Sequence, residues 1–158
     1  MPTLPEPKSW KKDEFVISTD PALLDLKRIH AFLATSYWAA GIPFDTVRKS
    51  IQNSLGFGVY LSENAKLRQI GFARVVTDYA TFAYLGDVYV EEEWHGKGLS
   101  KWLMSCVKNH PELQGLRRFC LGTRDAHGLY KQFGFEVIRL PENWMEIKVA
   151  NPYPRPTA

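Results

Sequence analysis

Apolar positions along this chain change their period several times, and each change marks an element. Phe15, Val16 and Ile17 form a short run that reads as a strand over 15–18. Asp20 followed by Pro21 is an N-cap with proline at the first helical position. Leu23, Leu26, Ile29, Ala31 and Leu33 then recur near helical spacing, which predicts a helix to about Ser36, broken by the stretch from Tyr37 and Trp38 to Pro43. Phe44, Val47, Ile51 and Leu55 define a second helical stripe. Strand-like runs at 58–61, 69–76 and 81–90 follow, with turn chemistry at Asn64 and at Asp78–Tyr79, so an antiparallel meander is expected. Leu99, Trp102, Leu103, Cys106 and Val107 fall on one helical face, and His110–Pro111 stops that helix. A strand at 117–121 leads to a helix capped by Asp125, with Ala126, Leu129, Tyr130 and Phe133 on one face and Gly134 as its C′ residue. Runs at 135–138 and 144–149 are expected to close the sheet.

The order β-α-α-β-β-β-α-β-α-β-β predicts one α/β (α+β) domain. Its central sheet is mixed and mostly antiparallel, with about seven strands, four flanking helices and a parallel crossover after the third helix. The boundaries expected are a Pro- and Lys-rich lead-in over 1–13, the domain over 14–149, and a proline-containing tail over 150–158.

A chain of 158 residues is large enough to bury one real core. Net charge is +3 with the basic residues scattered, so mild attraction of an anionic ligand is expected and nucleic-acid binding is not. No apolar run reaches membrane-spanning length, and the first residues do not read as a signal peptide, so a cytoplasmic, non-membrane protein is expected. Cys106 and Cys120 read as two buried thiols. The histidines lack metal-ligand spacing, so no metal is expected.

The candidate chemistry concentrates between Gly86 and Ser100. A strand, an acidic turn (Glu91, Glu92, Glu93) and the loop His95–Gly96–Lys97–Gly98–Leu99–Ser100 open directly into a helix. The first N–H groups of a helix have no partner within it and can bind an anion, and Gly96 and Gly98 let a phosphate approach the backbone closely. A P-loop is excluded because Gly98, not Ser or Thr, follows Lys97; a dinucleotide fingerprint is excluded because Lys101 stands where its third glycine would be.

With the strand Asp87–Val88–Tyr89–Val90, this loop, and Leu129–Tyr130–Lys131–Gln132–Phe133–Gly134–Phe135 downstream, the sequence resembles the GNAT superfamily of acetyl-CoA-dependent N-acetyltransferases over roughly 14–149. The family loop reads Gln/Arg-x-x-Gly-x-Gly/Ala, so His95 and Ser100 are departures; Thr123 stands where many members have Asn, and Gly86 where some carry a glutamate base. The resemblance implies acetyl-CoA as cofactor, held by Val88, Tyr89 and Val90, by His95 through Ser100, by Thr123 and by Tyr130, with direct attack of an amine on the thioester. The attacking amine must be neutral, the developing oxyanion needs a donor, and the departing thiolate needs a proton.

Tyr130 is the candidate acid for the thiolate, the alternative being that it only packs with Leu129 and Phe133. The backbone N–H near Val90 is the implied oxyanion donor. Asp87 is the candidate for handling the acceptor amine, the alternative being a structural salt bridge. Glu91 shares its strand parity and joins it as a substrate-binding candidate, unless the three glutamates are only a solvated turn. Tyr37 and Trp38 fall where the family shapes its acceptor pocket and either sandwich the acceptor or plug the core. The expected function is N-acetylation of a small-molecule primary amine. The rivals are protein or peptide N-acetylation, a non-catalytic acyl-CoA-binding module, and a protein- or nucleic-acid-interaction module. A homodimer is the default assembly.

Overall fold

A computed structural model describes residues 3–153. The elements are β1 (Ser9–Lys12), β2 (Phe15–Ser18), α1 (Leu26–Leu33), α2 (Phe44–Gln52), β3 (Leu55–Glu63), β4 (Lys66–Thr77), β5 (Phe82–Val90), α3 (Leu99–Lys108), β6 (Arg118–Leu121) and α4 (His127–Lys131). The six strands form one sheet in sequence order, antiparallel except for the parallel pair β5–β6.

Local chemistry sets the hairpins. Asn64 (φ 50°) and Ala65 (φ 63°) are the two left-handed residues between Glu63 and Lys66, as a tight β3–β4 turn with matching twist requires. At the β4–β5 turn the Asp78 carboxylate accepts from the Thr81 hydroxyl and from the N–H groups of Thr81, Ala80 and Phe82, which hold its carboxyl well below the usual carboxylate range.

One sheet face is covered by α3 and α4 over Phe57, Ile70, Leu85, Leu103 and Val107; the other by α1 and α2 over Ile29, Leu33, Val47, Phe72 and Tyr89. In α3 the buried residues Leu99, Leu103, Met104 and Val107 contribute about 2 kcal/mol each. That exceeds any helix-propensity difference, at most about 0.7 kcal/mol per ordinary residue, so packing positions α3 and the loop before it. The Cys106 thiol, buried there, is pushed up to about 11 and is inert. Cys120 is only half-buried, less than expected.

Several expectations are corrected at the ends of elements. The sheet has six strands, not about seven: the lead-in supplies β1, while 135–138 and 144–149 pair with nothing among the described residues. Pro21–Leu23 is a separate 3-10 turn, and Asp25, accepting from the Arg28 N–H, caps α1. Leu55 begins β3 instead of extending α2. The hydroxyl of Thr123, not Asp125, accepts from the Ala126 N–H at the start of α4. Residues 154–158 of the expected tail, and 1–2 of the lead-in, lie outside the described residues. No helix among the described residues is long and apolar enough to cross a membrane.

Two departures from sheet regularity create the site. β4 and β5 pair at Phe72–Tyr89 and at Arg74–Gly86, so Asp87 and Val88 together face Ala73 in a bulge, with Asp87 left-handed at φ 54°. β5 and β6 pair only as far as Leu85–Leu121, although β5 continues to Val90. From Gly86 onward the β6-facing edge of β5 has no strand partner among the described residues.

Candidate functional site

The loop after β5 keeps its N–H groups free. Gly96 (φ 80°) and Gly98 (φ 76°) are both left-handed, and a Cβ on either would meet no protein atom within 4 Å. The first return into α3 is the Trp102 N–H donating to the Gly98 carbonyl. Among the described residues, the N–H groups from Gly96 to Lys101 donate to no protein acceptor. Six consecutive free donors beside an exposed Lys97, at the positive end of a ten-residue helix, fit an anion. The His95 ring Nε2 lies 2.6 Å from the Val90 carbonyl and ties the loop to the end of β5. Ser100 stands in the first turn of α3, half-buried, and Leu99 anchors it in the core.

At the other end of the open edge, about 13 Å away along β5, lies a cleft of about 610 Å³. It brings together Tyr37, Trp38, Asp87, Val88, Thr123 and Tyr130, from four separate parts of the chain. Trp38 Nε1 donates to Asp87 Oδ1 at 3.0 Å, Arg74 Nε donates to Asp87 Oδ2 at 2.7 Å, and Arg74 Nη1 reaches Ser54 Oγ at 3.1 Å. The left-handed backbone at Asp87 costs about 1 kcal/mol, and these charge-assisted bonds offset it. Asp87 is thus a paired carboxylate that lines the cleft.

Tyr130 is buried, and burial raises its pKa above the ordinary phenol value, with smaller contributions from Tyr37 and Asp125. Its hydroxyl has no hydrogen-bond partner among the described residues. The phenol therefore stays protonated across the neutral range with its proton free to donate. The Arg124 guanidinium lies 3.8 Å over the Tyr37 ring, and the Arg124 N–H approaches the Tyr37 hydroxyl at 3.4 Å, fixing one rim of the cleft.

Not every sequence candidate reaches the cleft. Glu91 lies on the α1 side with its carboxylate taken by Arg28 in two bonds of 2.6 and 2.8 Å, and it does not line the cleft. Tyr89 is buried on the α1–α2 face, its ring stacked on Phe32 at 3.7 Å and its backbone paired with Phe72 of β4, so, unlike Val88 and Val90, it offers no group to the open edge. The Val88 and Val90 side chains pack with the core cluster on the α3 face. Arg74 and Arg124 are absent from the sequence candidates. Arg74 had a usable signal, being opposite in charge to Asp87 and about as far before Ala80, the middle of the β4–β5 register, as Asp87 is after it; Arg124 had none.

Residues 56–137 match the family model for the acetyltransferase (GNAT) domain. A Gibberella zeae protein named as a candidate acetyltransferase is 30% identical over 170 aligned positions, covering 95% of each chain. A Xanthomonas campestris pv. campestris protein assigned to the GNAT acetyltransferase family superposes with a TM-score of 0.82 at 46% identity, over 96% of this chain and 99% of its own. A Clostridium acetobutylicum protein described as an acetyltransferase and solved with acetyl-CoA shares the fold, with a TM-score of 0.59 at 16% identity over 85% of this chain and 94% of its own.

Proposed function

Because the chain belongs to the GNAT acetyltransferase family, we propose that it moves an acetyl group from acetyl-CoA to the primary amine of a small-molecule acceptor in the cytoplasm. The observation that carries this reading is the run of free N–H groups from Gly96 to Lys101, which follows the unpaired edge of β5, whose far end at Gly86–Val88 lines the cleft. Acetyl-CoA, when bound, supplies an acetyl group activated as a thioester.

The chain's residues then divide the work. The loop N–H groups and the Lys97 ammonium bind the pyrophosphate, with Ser100 adding its hydroxyl, and the His95–Val90 contact holds the loop in place. The open β5 edge offers backbone groups to the pantetheine amides through Val88 and Val90, the residues whose backbone points away from β4. The N–H near Val90 faces the negative charge that develops on the acetyl oxygen. Asp87 accepts from the acceptor ammonium with the lone pairs that Arg74 and Trp38 leave free, while Tyr37 and Trp38 shape the space around it. An alkyl ammonium has a pKa of about 10, and water in the cleft carries its proton away before attack. Tyr130 donates its proton to the departing sulfur. The Thr123 hydroxyl accepts from the Ala126 N–H just before α4, and Thr123 contributes through its position at the cleft wall.

The test is release of free thiol from acetyl-CoA across polyamines, aminoglycosides, amino acids and short peptides, beside calorimetry of acetyl-CoA binding. Amine-dependent thiol release supports transfer and names the acceptor class; release with peptides only would move the acceptor from small molecules to polypeptides. Tight acetyl-CoA binding with no release across the panel would overturn the transfer reading.

A further inference from the structure

The cleft beside the open edge of β5 holds two arginines in opposite states. Arg74 is mostly buried and occupied, its Nε donating to Asp87 at 2.7 Å and its Nη1 to Ser54 at 3.1 Å. Arg124 is exposed, and among the described residues its side chain makes no ion pair and donates no hydrogen bond. Its guanidinium carbon lies 3.8 Å over the centre of the Tyr37 ring. A guanidinium stacked by its face keeps its in-plane N–H donors free at the edge, where they fit a planar carboxylate in two parallel bonds. The ring beneath is itself held. Tyr37 packs edge-on against Trp38 with centroids 5.1 Å apart, and Trp38 Nε1 donates to Asp87 at 3.0 Å. A run of contacts thus fixes the unengaged cation, Arg124, relative to the carboxylate of Asp87, and both line one cleft.

The charges around that cleft are Arg74, Arg124, Asp87 and Asp125, two of each sign. A polyamine would bring several positive charges to walls with no excess of negative charge. A phosphate would bring about −1.5 to −2 to a single open guanidinium. A ligand with one ammonium and one carboxylate adds no net charge. Its two ends also match the separation of the sites, Asp87 on β5 and Arg124 just before α4.

We infer that the acceptor is an amino acid, a primary amine that carries a carboxylate, with the amine at Asp87 and the carboxylate on the Arg124 fork. This rests on the acetyl-transfer reading above and narrows its acceptor. The amine nitrogen bonds the acetyl carbon, and the carbon–sulfur bond breaks with its electron pair on sulfur. The ammonium gives up two protons: one goes to water before attack, and one restores the Tyr130 phenol after it has protonated the departing sulfur. The products are an N-acetylamino acid and coenzyme A.

The test measures thiol release by the full chain at saturating acetyl-CoA with matched acceptors. Leucine is set against isoamylamine and leucinamide, tyrosine against tyramine, lysine against cadaverine, and phosphoethanolamine against ethanolamine. Calorimetry of the same amino acids on the protein loaded with coenzyme A gives a readout that needs no transfer. In at least one carboxylate pair the amino acid should have a kcat/KM about tenfold or more above its decarboxylated partner. Arg124→Gln should bring the two within about twofold, and Arg124→Lys should keep part of the preference, retaining the charge without the fork. Release that is as fast with the plain amine in every carboxylate pair overturns the inference and leaves acetyl transfer standing. So does a preference that survives Arg124→Gln, or one confined to phosphoethanolamine. No release with any amine, beside amino-acid binding that Arg124→Gln abolishes, overturns transfer and supports the assigned site. With neither release nor binding, both readings fall.

Discussion

Tyr130→Phe removes one oxygen from a side chain whose ring is buried and packs edge-on against Phe135 at 6.0 Å. The ring contact survives the substitution, and among the described residues the hydroxyl, which lines the cleft, has no protein partner to orphan. The stability cost is accordingly expected to stay below about 0.5 kcal/mol. The chemical cost is expected to be far larger. A positioned general acid contributes about 10²–10⁴-fold to the rate. A thiol with pKa near about 8.5 leaves partly unaided above neutrality, which places the loss at the low end, about 10²-fold in kcat, or roughly 2.7 kcal/mol. The loss should shrink as pH rises toward 9, because the thiolate then departs without a proton. Burial keeps the wild-type phenol protonated through this range, so the wild type should show no falling limb of its own from Tyr130. The assay is thiol release at saturating acetyl-CoA and acceptor, from pH 6.5 to 9, beside urea unfolding of both proteins. A kcat within twofold of wild type at pH 7, with the chemical step rate-limiting, would refute the assignment and leave Tyr130 as packing. A loss of stability above 2 kcal/mol would refute the claim that the hydroxyl is unengaged.

Three further outcomes are expected. Gly98→Val should remain folded, losing about 1–2 kcal/mol for its left-handed backbone, yet weaken acetyl-CoA binding at least about tenfold by calorimetry; unchanged affinity would remove the loop from the cofactor site. Asp87→Asn keeps a residue tolerant of φ 54° and an acceptor for Trp38 but loses the Arg74 ion pair. With both side chains mostly but not fully buried, it should cost about 2 kcal/mol in urea unfolding, and removing Arg74 as well should show strong non-additivity. Additive single and double variants would mean that the pair contributes nothing. His110 is fully buried, accepts the Glu112 N–H at Nδ1, and has its pKa lowered chiefly by desolvation. The unfolded chain therefore binds the extra proton first, and stability should fall as pH drops below about 6.5, by at most about 1.4 kcal/mol per pH unit from this group. His110→Gln showing the same acid slope as wild type would assign that slope elsewhere.

The periodicities of α3 and of the β3–β4–β5 meander were legible because each element buries one face, and burial leaves a period in the sequence. The loop from His95 to Ser100 was legible for a different reason. Free helix N–H groups and left-handed glycines are local properties, set by the residues that carry them. Asp87 and Tyr130 could be named as candidates, but not their states. Whether Asp87 stands alone depends on Arg74 and Trp38, which arrive from other elements through a bulge that shows in no pattern of residues. Glu91 shared the promise of Asp87 in sequence and lost it to Arg28 across the α1 face. The segments 135–138 and 144–149 carry strand patterns yet pair with no strand among the described residues.

By itself, then, the sequence determined what depends on near neighbours: the order of elements from β2 to α4, the glycine loop before α3, and the residue types near it. Only the tertiary structure decided which charges were already paired, where β5 parts from β6 to open the cleft, and which strand pattern was left without a partner. The physical reason is that pairing and strand register depend on distances between residues far apart in the chain. Periodicity along one segment cannot encode those distances.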